Sequence, residues 1–153
     1  MTDYQNIEII IDTREQQPWH FPKHNTVTAK LDTGDYSIKG YENIFCIERK
    51  KSVSEIANNI TEKRFLDVID RLKKIKYSYF LFEFNLEDIM IYPEGSNIPK
   101  KLRSKIRISP GYIIKLLTEI QVMHSIPIIF CGSAKNAETV AMALMRRVYE
   151  NEQ

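Results

Sequence analysis

Two short runs of strand character, separated by a turn, constrain the fold of this chain more than any other feature. Residues 35–38 form the first run, a glycine-containing turn follows, and residues 44–48 return as an antiparallel partner. Because side chains alternate along a strand, Glu48 and Lys50 project from one face and Arg49 projects from the other. The hairpin therefore brings the aspartate that opens it beside a carboxylate and an ammonium group in one pocket.

The elements around this hairpin predict an α/β protein with a central mixed β-sheet flanked by helices. Strands come first, as a meander, and strands and helices then alternate along the chain. Other strands are predicted at residues 7–11, 26–31, 79–84 and 126–130. Helices are predicted from about residue 53 and at residues 65–72, 110–123 and 137–148, and a long connection at residues 85–108.

Composition limits the class of protein further. A chain of 153 residues that is 43% hydrophobic and 27% charged is predicted to form one domain spanning residues 1–153. The polar start, residues 1–6, and the short apolar run after it indicate neither a signal peptide nor a membrane span. Cys46 and Cys131 lie in apolar runs without metal-binding spacing, so we expect buried thiols in a reducing, intracellular and cytoplasmic setting.

The acidic residues at the strand ends point to a metal site. Asp35 and Glu48 would repel each other unless a hard cation lay between them, and oxygen ligands favour Mg²⁺ or Mn²⁺. Such a cation can activate water and neutralise a phosphate, while Lys50 orients the nucleophile or stabilises developing charge. An acid-x-lysine tripeptide alone is most often a surface pair. The second acid of the hairpin and the acidic cluster after residue 11 favour phosphodiester hydrolysis.

Positive charge is concentrated rather than spread evenly, although the formal net charge is only +2. Five cations without an intervening acid suit contact with a phosphate backbone, and a solvated surface loop is the alternative. One further cation, Arg64, lies on a predicted helix. The predicted DNA-binding residues are Arg64, Lys100, Lys101, Arg103, Lys105 and Arg107.

Three ordered motifs resemble those of the XPF-type nuclease domain, a structure-specific endonuclease branch of the restriction-endonuclease-like PD-(D/E)xK fold. They are residues 11–15 (IDTRE), 34–36 (GDY) and 47–50 (IERK). The helix that carries Arg64 and the strand that ends at Glu83 also fall where that family has similar elements. Compact stand-alone versions of this size occur in phage and bacteria, which would place a phage-encoded protein in the host cytoplasm.

The resemblance implies roles for the motif residues. Asp35 and Glu48 bind the divalent metal, Lys50 serves the attacking water, and Asp12 and Glu15 complete the acidic shell, with Asp12 as a further metal ligand. Arg14 and Arg49 organise this site. The family's next acid falls at Ser54 here, with Glu55 one place later.

The resemblance also implies a substrate and an assembly. Branched, flapped or junction DNA is expected, in repair, recombination or replication, and family members commonly form dimers. The tandem helix-hairpin-helix domain that usually follows the nuclease domain is not found in the sequence given. Because degenerate members of the family only bind DNA or dimerise, a non-catalytic subunit is the main alternative, and an RNA-directed nuclease is another.

Several other residues are given ordinary structural roles. His20 and His24 flank a proline and are expected to form a surface pair rather than a metal site. Trp19 and Tyr41 are equally suited to base stacking and to packing. The helix stripe that includes Leu117 is expected to be core.

Overall fold

The computed structural model describes residues 3–153; Met1 and Thr2, at the polar start of the chain, lie outside the described residues. One six-stranded sheet organises the fold, with the order β2-β1-β3-β4-β5-β6. Its strands are β1 (Glu8–Ile11), β2 (Asn25–Thr28), β3 (Tyr36–Ile38), β4 (Phe45–Lys50), β5 (Tyr77–Phe82) and β6 (Ile128–Phe130). The β1–β3 and β3–β4 pairs are antiparallel and the other three are parallel, so the sheet is mixed, as predicted.

The helices begin where the sequence supplies capping residues. The hydroxyl groups of Ser52, Ser109 and Ser133 each accept a hydrogen bond from the backbone N–H three residues later, which satisfies a donor that the first helical turn leaves free. A short 3₁₀ helix (Tyr4–Asn6) precedes the sheet. The α-helices are α1 (Val53–Ile60), α2 (Lys63–Leu72), α3 (Leu86–Met90), α4 (Lys100–Arg103), α5 (Pro110–His124) and α6 (Ala134–Asn151).

Strand alternation divides the core into two layers, one on each face of the sheet. Phe80 and Phe82 of β5 pack with buried residues of α1, α2, α3 and α5, whereas Leu81 packs on the opposite side with residues of α6. The same alternation in β4 sends Phe45 and Ile47 towards the α6 side. The predicted α/β class, with helices on both faces of the sheet, is confirmed.

The pairing of the first two strands differs from the predicted meander. β2 runs parallel to β1 at the outer edge of the sheet, and β1 pairs on its other side with β3. A parallel partner requires the chain to cross back to the start of β1, and the proline-containing segment 12–24 makes this crossing. β2 also ends earlier than expected, because the N–H of Leu31 turns to the side chain of Asp12.

The predicted connection at residues 85–108 is not wholly irregular. It contains two short helices, α3 and α4, and Asn85 and Asp88 form a capping box at the start of the first of them. On α5 the predicted core residues Ile113, Leu117 and Ile120 are buried, whereas Met123, which was also expected on the buried face, is 72% exposed. Both cysteines are buried free thiols, as expected. Among the described residues, no helix has the length and apolarity needed to cross a membrane.

Candidate active site

The turn before β3 brings Asp35 against the neighbouring strand. Gly34 has a φ of +83°, and a Cβ atom at this position would lie 2.7 Å from the Cβ of Cys46. The N–H of Asp35 then donates to the carbonyl of Ile47 over 2.7 Å. In return, Oδ2 of Asp35 accepts a hydrogen bond from the N–H of Arg49 over 2.8 Å. Glycine is required here because only it permits both the backbone conformation and the close approach.

Glu48 and Lys50 share one face of β4, as the alternation predicts. Nζ of Lys50 lies 3.9 Å from Oε1 of Glu48 and 3.8 Å from Oε1 of Glu55. The same ammonium group lies over the ring of Phe65, 5.5 Å from its centroid, and the Lys50 side chain is only 8% exposed. Packing therefore holds the lysine next to the carboxylate pair, and Glu55, at the start of α1, lies beside it.

Ionisation of the two hairpin carboxylates, Asp35 and Glu48, is unfavourable in the protein alone. Burial, opposed by the hydrogen bond from Arg49 and aided by the charge of Glu15, raises the pKa of Asp35 to about 6. Burial also raises the pKa of Glu48 to about 8, and the charge of Asp35 is the next cause. A hard divalent cation bound between two desolvated carboxylates relieves their mutual repulsion, and carboxylate oxygens are the ligands that such a cation prefers.

Asp12, at the end of β1, is already hydrogen-bonded. Its Oδ1 accepts from the N–H of Leu31 over 2.8 Å, and its Oδ2 accepts from Nε of Arg14 over 2.6 Å. Burial opposes ionisation of Asp12, but these hydrogen bonds outweigh it and lower its pKa. The carboxylate therefore ties the segment after β2 to β1. Its assignment as a metal ligand stays a prediction.

Glu15 and Arg49 belong to a buried network on the opposite face of β4. Nη1 of Arg49 donates to Oε2 of Glu15 over 2.9 Å, and its Nε donates to Oε2 of Glu83 over 2.6 Å. The indole Nε1 of Trp19 donates to the same Glu83 oxygen over 2.6 Å, and the hydroxyl of Tyr36 donates to Glu15 over 2.8 Å. Arg49 thus links three segments of the chain behind the hairpin.

Trp19 is a packing residue in this network rather than a free stacking platform. It is 2% exposed, and its ring stacks on Tyr36 with 4.5 Å between the centroids. The guanidinium of Arg49 lies 4.9 Å from the centre of the indole. Between the two roles that the sequence left open for Trp19, the structure therefore favours packing.

A cleft of about 470 Å³ opens in front of the hairpin carboxylates. Arg64 lines it from α2, as expected for a residue that contacts substrate. Lys100, Lys101, Arg103, Lys105 and Arg107 do not line it. Within that cluster Arg103 is engaged with its own loop, since it donates to the carbonyls of Ile98 and Ser96. The lining residues are Arg14, Glu15, Asp32, Thr33, Gly34, Asp35, Glu48, Lys50, Asn59, Glu62, Arg64, Phe65, Asp67, Val68 and Arg71.

Sequence reasoning did not identify several residues near this site. Asn59, Asp67 and Arg71 line the cleft, and Asn59 keeps a buried carbonyl oxygen that has no hydrogen-bond partner among the described residues. Asp67 and Arg71 lie about one and two helical turns from Arg64 on α2, which a helical projection would have shown, whereas Asn59 lies on the preceding helix α1. Glu83 and Trp19 are 64 positions apart, and no local sequence pattern predicts the hydrogen bond between them.

The acidic side chains of the described residues do not form a preassembled set of metal ligands. Across residues 3–153, no three His, Cys, Asp or Glu side chains converge as a ready group of metal ligands. Mg²⁺ is commonly held by only one or two carboxylates, with water and substrate phosphate completing its coordination. Asp35 and Glu48 fit that mode, because they line the same cleft and the charge of Asp35 raises the pKa of Glu48.

Comparison with known proteins connects this fold and site to a family. The sheet order and the acid-x-lysine strand end define a restriction-endonuclease-like α/β domain. The model of the ERCC4 domain matches residues 11–142, and the chain belongs to the ERCC4 domain family. The predicted resemblance to the XPF-type nuclease domain is confirmed. No curated protein matches the chain.

Two solved structures share the fold. One is XPF from Aeropyrum pernix, with a TM-score of 0.67 and 17% identity over 93% of this chain. The other is XPF from Aeropyrum pernix in complex with DNA, with a TM-score of 0.67 and 18% identity over 95% of this chain. This chain spans 65% and 66% of the length of those two chains.

Proposed function

We propose that this chain is a Mg²⁺- or Mn²⁺-dependent DNA endonuclease that hydrolyses phosphodiester bonds. The observation that carries the proposal is the placement of Asp35, Glu48 and Lys50 together at the floor of one open cleft. The ERCC4 domain family and the fold shared with XPF support the same reaction class. No part of the acid-x-lysine signature has been lost, which disfavours a non-catalytic subunit.

Three residues of the cleft have defined parts in this proposal. Asp35 and Glu48 would hold the cation, which would neutralise charge on the scissile phosphate and activate water. Lys50 would orient the attacking water and stabilise the negative charge that develops on phosphorus oxygens. The water oxygen bonds to phosphorus and the bond to the 3′ oxygen breaks, leaving a 5′-phosphate and a 3′-hydroxyl.

The residues behind the hairpin would act by positioning rather than by touching the substrate. The guanidinium of Arg49 would not contact the substrate in this arrangement, because it is paired with Glu15 and Glu83. Its backbone N–H nevertheless holds the side chain of Asp35. The network would therefore fix the metal-binding carboxylate by fixing the strand that carries it.

The substrate is proposed to be branched, flapped or junction DNA, of the kind formed in repair, recombination or replication. Arg64 would contact the strand in the cleft, and the cluster of residues 100–107 would contact phosphates farther away. Replacing both Lys100 and Lys101 by alanine should weaken binding at all sequences and reduce the slope of log affinity against log salt by about 1–2. Fluorescence anisotropy at several salt concentrations measures this change.

A homodimer is proposed as the working assembly. Val122 and Met123, at the end of α5, are 81% and 72% exposed, and β6 is an edge strand of the sheet. Sedimentation velocity should show a dimer that Val122→Glu dissociates. A monomer at all concentrations would contradict this assembly while leaving the catalytic proposal intact.

Cleavage assays test the proposed activity. Labelled duplex, single-stranded, flap, fork and four-way DNA would be incubated with Mg²⁺ or Mn²⁺ and with wild type, Asp35→Ala, Glu48→Ala or the control Glu94→Ala. We expect cleavage by wild type and the control alone, with a preference for strand junctions. Binding without cleavage by pure wild type would favour the non-catalytic subunit, and cleavage confined to matched RNA would favour an RNA-directed nuclease.

A further inference from the structure

A second cavity lies apart from the catalytic cleft and shares no lining residue with it. It is an open surface pocket with a volume of about 240 Å³, lined by residues 20–24 on one side and by one face of α6 on the other. Lys135, Met142 and Arg146 supply most of the helical wall. The proposed nuclease chemistry gives this cavity no role.

Positive charge dominates its lining. Lys23, Lys135 and Arg146 face a single acid, Glu138. One oxygen of Glu138 already accepts a hydrogen bond from the backbone N–H of His20 over 3.0 Å. An anion in the cavity would therefore meet three cations and only one carboxylate that is partly satisfied.

Polar groups in the wall are left without ordinary partners. Both ring nitrogens of His24 and Nε of Arg146 are buried without a hydrogen bond of normal geometry to any described residue. Burial lowers the pKa of His24, the charge of Arg146 lowers it further, and the carbonyl of Ile7 acts in the opposite direction. Buried N–H donors that lack acceptors destabilise the fold. Both side chains line the same cavity, so a small shift of either would bring an unpartnered nitrogen to a ligand with acceptor oxygens.

The remainder of the lining is apolar. Phe21, Pro22 and Met142 present hydrocarbon surface beside the cationic groups. The cavity is smaller than the range of about 300–1,000 Å³ that drug-sized ligands occupy. A ligand for it would carry a phosphate and at most one nucleoside, with a flat apolar part.

We propose that this cavity binds a nucleotide 5′-phosphate, with the phosphate at Arg146 and His24 and the base against Phe21 and Met142. The phosphate could belong to a free mononucleotide or to the 5′ end of a DNA strand, since both present the same group. The proposal does not depend on the nuclease activity, because binding is measured without cleavage.

Isothermal titration calorimetry in the absence of divalent metal tests it. Deoxyadenosine 5′-monophosphate, deoxyadenosine and inorganic phosphate would be titrated into wild type, Arg146→Gln and Arg147→Gln. Arg147 is the matched control, because it is the next residue of α6, its side chain is 76% exposed, and it pairs with Glu150 over 2.7 Å. Circular dichroism confirms that each variant is folded, and His24→Gln replaces Arg146→Gln if that variant does not fold.

We expect the monophosphate to bind at least tenfold more tightly than deoxyadenosine, and Arg146→Gln to weaken it at least tenfold while Arg147→Gln leaves it unchanged. Absence of monophosphate binding, or equal effects of the two arginine substitutions, overturns the proposal. A 5′-phosphorylated oligonucleotide that also binds in an Arg146-dependent way identifies the strand end as a source. Binding of the mononucleotide alone identifies the free form, and either source supports the site.

Discussion

Replacing Glu48 by glutamine should stabilise the metal-free protein at high pH. The pKa of this carboxyl is raised from 4.5 to about 8 by burial and by the charge of Asp35. An acid with a raised pKa holds its proton more tightly in the folded state. The contribution of Glu48 to stability is therefore fully present below pH 4.5. It is lost as the pH rises to about 8, so the unfolding free energy falls over this range. Glutamine has nearly the same shape and never carries the charge.

The size of the effect follows from the same values. A pKa raised from 4.5 to about 8 corresponds to about 5 kcal/mol above both values. Two factors reduce the free energy that the substitution recovers. The side chain of Glu48 is 14% exposed, and the new amide needs hydrogen-bond partners of its own. We expect a gain of about 2–3 kcal/mol at pH 8.5, which raises the melting temperature by about 5–10 °C in a chain of this size.

Thermal unfolding in the presence of a chelator measures this gain at pH 4.5 and at pH 8.5. The difference between Glu48→Gln and wild type should be large at the higher pH and close to zero at the lower one, whereas the exposed-loop control Glu94→Gln should show no pH-dependent difference. Added Mg²⁺ should stabilise wild type more than the variant. If the variant is the less stable protein at pH 8.5 without metal, the argument from a desolvated carboxylate pair is refuted.

Three further substitutions test the support of the site. Arg49→Ala leaves two buried carboxylates without their cationic partner and should lower the unfolding free energy by about 3–5 kcal/mol in urea titrations; an effect below about 1 kcal/mol would contradict the network. Tyr36→Phe removes a hydrogen-bond donor to Glu15 and should lower the unfolding free energy by about 1–3 kcal/mol. Unfolding is followed through the fluorescence of the single tryptophan, and an unchanged unfolding free energy would contradict a role for this hydrogen bond. Gly34→Ala should be more destabilising than Gly40→Ala by at least about 2 kcal/mol, because both have positive φ but nothing lies within 4 Å of the Cβ position at Gly40; equal effects would refute the close approach.

Much of the site could be predicted because its parts are local. The hairpin fixes which side chains share a face, and the alternation along β4 separates Glu48 and Lys50 from Arg49 without any knowledge of the rest of the fold. Helix starts were equally accessible, since Ser52 and Ser109 are capping residues directly before apolar periodic segments.

The parts that escaped prediction depend on contacts between distant segments. The parallel pairing of β2 with β1 is decided by the crossing of residues 12–24, whose length is compatible with more than one partner. Glu83 reads as the end of a strand, and only the folded sheet brings it to Trp19 and Arg49. The two short helices after β5 were missed because prolines and glycine dominate the surrounding composition.

The most direct test of the central claim is the single-turnover cleavage rate of a labelled flap DNA as Mg²⁺ is removed by a chelator and then restored. Wild type should lose cleavage on chelation and regain it on restoration, and folded Asp35→Asn should bind the same DNA but not cleave it under either condition. Cleavage by Asp35→Asn at the wild-type rate, or cleavage by wild type that persists without divalent metal, would contradict that claim.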